Sequence, residues 1–208
     1  SQEKEAISYF NQVIELDYNT PKAHLLKGYI YAKLGEQDKA IQFFHNTVDI
    51  DPTYEDAYVQ LGLIYQQRKD STAVLYYQNT LKINPQNKMA LFNLAKFYQD
   101  MEQWNEAIES YTHLLQIYPT YVDAYYNIGF VHIKLGLYDV AANDFSQAIS
   151  FNPDFYKAYY SRGHCYETLG DIARAESDYK KAIQIEDDYQ NAKDALNALM
   201  KRNKQIKQ

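Results

Sequence analysis

Most of what would give this chain a chemistry of its own is missing. Cys165 is the single cysteine in 208 residues, so there is no disulfide framework and no cysteine metal site. That suits a reducing compartment, and a helical protein without disulfides suits a periplasm equally. No apolar run approaches the roughly 18 residues that a membrane-spanning helix needs. There is no basic excess either: 21 Lys+Arg against 27 Asp+Glu give a net charge of −6. A general nucleic-acid or anionic-membrane binder would need a basic face, so both classes are disfavoured. The five histidines are His24, His45, His113, His132 and His164, and no two lie three or four apart. A helical zinc pair therefore does not form. Cys165 follows His164 directly, but neighbours on a helix point about 100° apart, which works against a Cys–His nucleophile. The seven glycines form no phosphate loop. No catalytic residue, metal or cofactor is expected, and the segment reads as non-enzymatic.

What is present is a period. Gly28, Gly62, Ala95, Gly129 and Gly163 follow one another at 33 or 34 residues. An alanine recurs at Ala40, Ala73, Ala107, Ala141 and Ala175, and an aromatic four residues later at Phe44, Tyr77, Tyr111, Phe145 and Tyr179. Pro52, Pro85, Pro119 and Pro153 close the copies. A period of this size is the signature of a solenoid, whose repeats stack without one central core. Each copy reads as two helices. In 122–155, Tyr125, Ile128, Gly129 and His132 share one helical face, Gly136 stops the helix, and Ala141, Phe145 and Ala148 form the stripe of the second. The small pair Gly129 and Ala141 lets the two helices approach closely. His132 stands where other copies carry tyrosine and is expected to be a packed histidine with a local hydrogen bond.

This pattern resembles the tetratricopeptide repeat across nearly the whole chain. The resemblance implies an all-α, right-handed α-solenoid superhelix in one domain spanning 1–208, with full repeats at 21–54, 55–87, 88–121, 122–155 and 156–189. Residues 1–20 read as a half-repeat, a second helix only, with Ala6, Phe10 and Val13 in the template places. Residues 190–208 read as a C-terminal capping helix with the stripe Ala192, Ala195, Leu196 and Leu199. Its basic end (Lys201, Arg202, Lys204, Lys207) reads as helix-dipole complementation and a solvated tail, with contact to an acidic partner as the alternative. Two departures stand out. Repeat 55–87 is one residue short and lacks the turn glycine at Gln67–Asp70, which predicts a tighter or irregular turn, and repeat 88–121 carries Glu102 in that glycine's place.

The resemblance also implies a concave groove lined by places 2, 5, 6, 9, 12 and 13 of each first helix. Place 6 reads Leu26, Gln60, Asn93, Asn127 and Ser161. A buried column would be apolar, whereas amides offer a donor and an acceptor to an extended backbone. Some relatives bind peptides through an asparagine ladder here. Place 5 reads Leu25, Val59, Phe92, Tyr126 and Tyr160, and place 9 reads Tyr29, Leu63, Lys96, Phe130 and His164. Together they suggest an aromatic wall of the kind that suits a binding surface, with packing between first helices as the competing reading. A chaperone-type carboxylate clamp is not expected, because only Asn127 and Lys157 match it, although these two and Lys96 could hold one carboxylate. The peptide-binding candidates are therefore Gln60, Phe92, Asn93, Lys96, Tyr126, Asn127, Phe130, Lys157, Tyr160 and Ser161.

The expected function is a protein-interaction module that grips an extended partner segment and serves as scaffold or adaptor, with no nucleic acid and no direct membrane insertion. The alternatives are self-assembly through the half-repeat, structural support, or a regulatory part of a larger protein. The Tyr-, Asn-, Ile- and Lys-rich composition looks bacterial. The first residue falls inside a repeat, so the compartment stays open between the cytoplasm and a periplasmic lipoprotein with its N-terminus removed.

Overall fold

The computed structural model describes the backbone of residues 2–206 and the side chains of residues 2–203. The described residues form helices only, in two compact units, Ser1–Met101 and Glu102–Gln208. The first unit holds α1 (Gln2–Leu16), α2 (Pro21–Lys33), α3 (Gln37–Ile50), α4 (Glu55–Gln67), α5 (Thr72–Ile83) and α6 (Lys88–Asp100). The second holds α7 (Trp104–Ile117), α8 (Val122–Lys134), α9 (Tyr138–Phe151), α10 (Tyr156–Thr168), α11 (Ile172–Ile185) and α12 (Gln190–Ile206). The division falls in the turn of the third repeat.

In both units each helix packs on the next in sequence, most tightly within the pairs α2–α3, α4–α5, α8–α9 and α10–α11. The glycine places explain that tightness. A Cβ built on Gly62 would stand 2.5 Å from Cε1 of Tyr77, and one on Gly129 2.9 Å from Cε1 of Phe145. The ring of the second helix occupies the volume a side chain would need. Ala40, Phe44, Ala73 and Tyr77 in the first unit, and Ala141, Phe145, Ala175 and Tyr179 in the second, are accordingly buried. First helices also touch one another, α4 with α6, α8 with α10 and α10 with α12, so within each unit they share one face.

The short repeat is not irregular where it was expected to be. Lys69 takes the left-handed conformation (φ 54°) that Gly35 takes in the repeat before it (φ 77°). The same pair of closing bonds forms, Lys69 N–H to Gln66 O and Asp70 N–H to Tyr65 O, each 2.9 Å. The missing residue comes out of the start of α5, where the Asp70 carboxylate accepts from Thr72 N–H (2.8 Å) and Thr72 Oγ1 (2.6 Å). Glu102 is also left-handed, at φ 58°.

Candidate functional site

Burial divides each first helix the same way. The residues at places 2, 6, 9 and 13 lie 4, 3 and 4 apart, which is one stripe of a helix, and none of them is buried in α2, α4, α6, α8 or α10. In α6 the stripe is Met89, Asn93, Lys96 and Asp100. In α8 it is Asp123, Asn127, Phe130 and Lys134, and in α10 Lys157, Ser161, His164 and Thr168. The opposite sides of these helices carry the core, for example Ala124, Ile128, Gly129 and Val131 of α8.

The two asparagines behave alike. Nδ2 of Asn93 donates to the Met89 carbonyl and Nδ2 of Asn127 to the Asp123 carbonyl, both at 2.8 Å and one turn back along their own helices. Only the amino end of an amide can donate to a carbonyl, so this bond decides which way each side chain points. Oδ1 and the second N–H of each amide make no hydrogen bond among the described residues. Gln60 and Ser161 are half-buried at the same place of their repeats.

Place 5 differs between the units. Leu25 and Val59 are core residues, and Phe92 is half-buried. Tyr126 packs its ring against Phe145 and Phe155, with centroids 5.5 and 5.0 Å apart. Tyr160 packs against Tyr179 and Tyr189, at 5.8 and 5.3 Å. These rings are already engaged in holding helices together, and the exposed aromatic at place 9 is Phe130, 36% accessible. The cations are held in different ways. Lys96 pairs with Asp100 one turn on, whereas Lys134 lies over the Phe130 ring (5.3 Å to the centroid) and Lys157 over that of Tyr156 (5.8 Å).

A polar network in the second unit lies outside the residues chosen from the sequence. Arg162 reaches Asp178 through Nε and Nη2, both at 2.8 Å, and Ser146 Oγ through Nη1 at 2.9 Å. Its guanidinium stands 5.5 and 5.8 Å from the rings of Tyr159 and Tyr166, and the bonds it donates to Asp178 raise its pKa above the ordinary value. His132 Nδ1 lies 2.6 Å from Asp144 Oδ2, the local bond expected of a packed histidine. Burial raises the Asp144 carboxyl, against the pull of His132. Cys165 is buried, and that burial pushes its thiol up to about 12, the opposite of an activated nucleophile. The sequence did hold a signal for this network. Asp144 and Asp178 stand one period apart, and Arg162 occupies a place that Leu61, Leu94 and Ile128 fill elsewhere.

At the end of the second unit, Glu167 accepts from Tyr179 Oη (2.6 Å) and pairs with Arg202 of α12. One of the four basic residues of the tail is thus spent inside the molecule. The side chain of Lys204 and all of Lys207 lie outside the described residues. Among the described residues no group of three His, Cys, Asp or Glu side chains could hold a metal ion, and no helix is long and apolar enough to cross a membrane.

Family models agree with the repeat frame. Models described as tetratricopeptide repeat match residues 76–109, 122–155 and 156–189, and one described as TPR repeat matches 28–69 and 98–136. The crystal structure of MamA protein superposes with a TM-score of 0.73 at 25% identity, covering 81% of this chain and 92% of that one. The crystal structure of YrrB, described as a TPR protein with an unusual peptide-binding site, superposes with a TM-score of 0.72 at 20% identity, covering 89% and 96%. The Cut9–Hcn1 hetero-tetramer of the APC/C gives 0.67 at 18% identity, covering 95% of this chain and 40% of that one. No curated protein matches the sequence.

Proposed function

Since this chain belongs to the tetratricopeptide repeat family, whose members commonly serve as protein-interaction modules, we propose that it is non-catalytic and holds an extended segment of a partner protein against the open stripes of its first helices. The observation that carries this reading is the shared geometry of Asn93 and Asn127. Each amide is anchored by its own helix and keeps an acceptor and a donor on the open side. A segment that leaves water on binding must replace its backbone hydrogen bonds, and an oriented amide does so without losing side-chain freedom at that moment. Gln60 stands at the same place as Asn93 in the first unit, and Ser161 at the same place as Asn127 in the second. Phe130 supplies exposed apolar surface beside Asn127, with the half-buried Phe92, Tyr126 and Tyr160 as walls of the stripes on their own helices, and Lys157 supplies charge. The module acts as scaffold or adaptor. The deciding experiment is a pull-down, followed by titration of the captured partner against Asn93→Ala and Asn127→Ala proteins with unchanged circular dichroism. Each change is expected to weaken binding about fivefold, as one lost hydrogen bond of about 1 kcal/mol does. Unchanged affinity rejects the ladder.

A second reading, self-association, rests on α1. Ala6 and Phe10 are only half-buried where their counterparts Ala40 and Phe44 are fully buried, and Tyr9 and Leu16 are 62% and 89% accessible. Sedimentation over a wide concentration range tests it, and a strict monomer sinks it.

A further inference from the structure

The exposed stripe of α8 carries more than the asparagine. It runs from an acid at the start of the helix, Asp123, through Asn127 and Phe130 to a base at its end, Lys134. The two charges stand eleven positions apart, about 16 Å at the α-helical rise, so an anion near Lys134 is well clear of Asp123. Lys134 is exposed and forms no ion pair among the described residues. Its ammonium lies over the face of Phe130, the exposed aromatic of the same stripe, at 5.3 Å from the centroid. In α6 the arrangement is reversed, because the stripe ends on Asp100 and that carboxylate neutralises Lys96. The end of α8 thus puts a cation without an ion pair beside a part-exposed apolar ring, one and two turns beyond an oriented amide.

We propose, resting on the binding mode above, that this end of α8 selects partner segments in which an apolar side chain, best an aromatic one, is followed closely by an internal glutamate or aspartate. The apolar group covers Phe130, and the carboxylate takes the ammonium that the ring face otherwise holds. Lysine is a point charge with rotatable donors, so it accepts a carboxylate on a flexible side chain without the fixed two-pronged geometry that arginine demands. With a net charge of −6 the molecule as a whole does not attract acidic segments. The preference is therefore local and short-ranged.

The test uses three fluorescein-labelled, C-amidated peptides with the core Phe-Xaa-Phe-Xaa in Ser-Gly flanks, Xaa being Glu, Gln or Lys. Binding is read by fluorescence anisotropy at low and at high salt. The Glu peptide is expected to bind about three- to fivefold more tightly than the Gln peptide at low salt, as an exposed ion pair allows, with the Lys peptide weakest. High salt or Lys134→Gln removes that advantage, Lys180→Gln on the second helix α11 leaves it intact, and Phe130→Ala weakens all three peptides. Equal binding of the Glu and Gln peptides, an advantage that survives Lys134→Gln, or no binding by any of the three overturns the proposal. Equal binding that still falls on Asn127→Ala would remove the acidic preference and leave the binding mode itself standing.

Discussion

This molecule solves one packing problem in two ways. In the first unit, the place on the second helix that faces the tyrosine of the first holds an aromatic. Tyr31 stacks on Phe43 at 5.4 Å and 7°, and Tyr65 on Tyr76 at 5.2 Å and 28°. In α9 and α11 of the second unit the same place holds Asp144 and Asp178, and the first helix answers with His132 or Arg162. A ring face is tolerant. In the first repeat it also accepts Lys27, whose ammonium stands 4.0 Å from the Phe43 centroid and donates to Asn11 Oδ1 at 2.5 Å. A half-buried carboxylate is not tolerant, because its desolvation is offset only by a cation or donor in the right position. The first unit is built from interchangeable pieces, and the second from pieces that must change in pairs.

Breaking one of those pairs is the most damaging single change expected. Asp178→Ala leaves the Arg162 guanidinium largely buried with Ser146 as its remaining hydrogen-bond partner, and should cost about 3 kcal/mol in urea denaturation. The paired change Arg162→Leu with Asp178→Tyr copies Leu61 and Tyr76 of the second repeat, and should lie within about 1 kcal/mol of the parent. A double variant as weak as the single one would show that the units are not interchangeable here. Next come the close approaches. Gly62→Ala presses a Cβ to 2.5 Å from the Tyr77 ring, and Gly163→Ala presses one to 2.9 Å from that of Tyr179. Losses of about 2 and about 1 kcal/mol are expected, in that order. Equal losses would mean that the Tyr77 ring gives way more easily than its burial suggests. The smallest effect has the opposite sign. Lys69→Gly and Glu102→Gly, one in each unit, relieve a left-handed side-chain residue and should each stabilise by about 0.5 kcal/mol, net of the entropy that glycine adds to the unfolded chain.

The fold was legible because its signals are local and repeated. Gly28, Ala40, Phe44 and Pro52 recur as one set, and each acts on neighbours within its own repeat. The turn at Lys69 is regular although its lack of glycine predicts a tighter or irregular one, because the backbone can hold lysine in the glycine conformation at a modest cost. The candidate site was legible as columns, and the columns mixed two kinds of residue. Tyr126 and Tyr160 share place 5 with Phe92, and the structure spends both rings on packing. Phe130 and Lys134, on the open stripe, keep their surface available. The pairing of Arg162 with Asp178 was hard to read because the two stand sixteen residues apart on different helices, and each departs from the template only when the repeats are compared place by place.

Period, helix pairing and family follow from the sequence by itself. Each rests on the size and shape of a side chain at a fixed spacing, and spacing on a helix determines which residues share a face. Which polar residues are spent inside and which remain for a partner was decided by the tertiary structure. Commitment of a side chain depends on what the neighbouring helix brings within hydrogen-bond reach. Asn127 kept its carbonyl open because its own helix took the other end of the amide, and Arg162 was taken by Asp178 because α11 places a carboxylate 2.8 Å away.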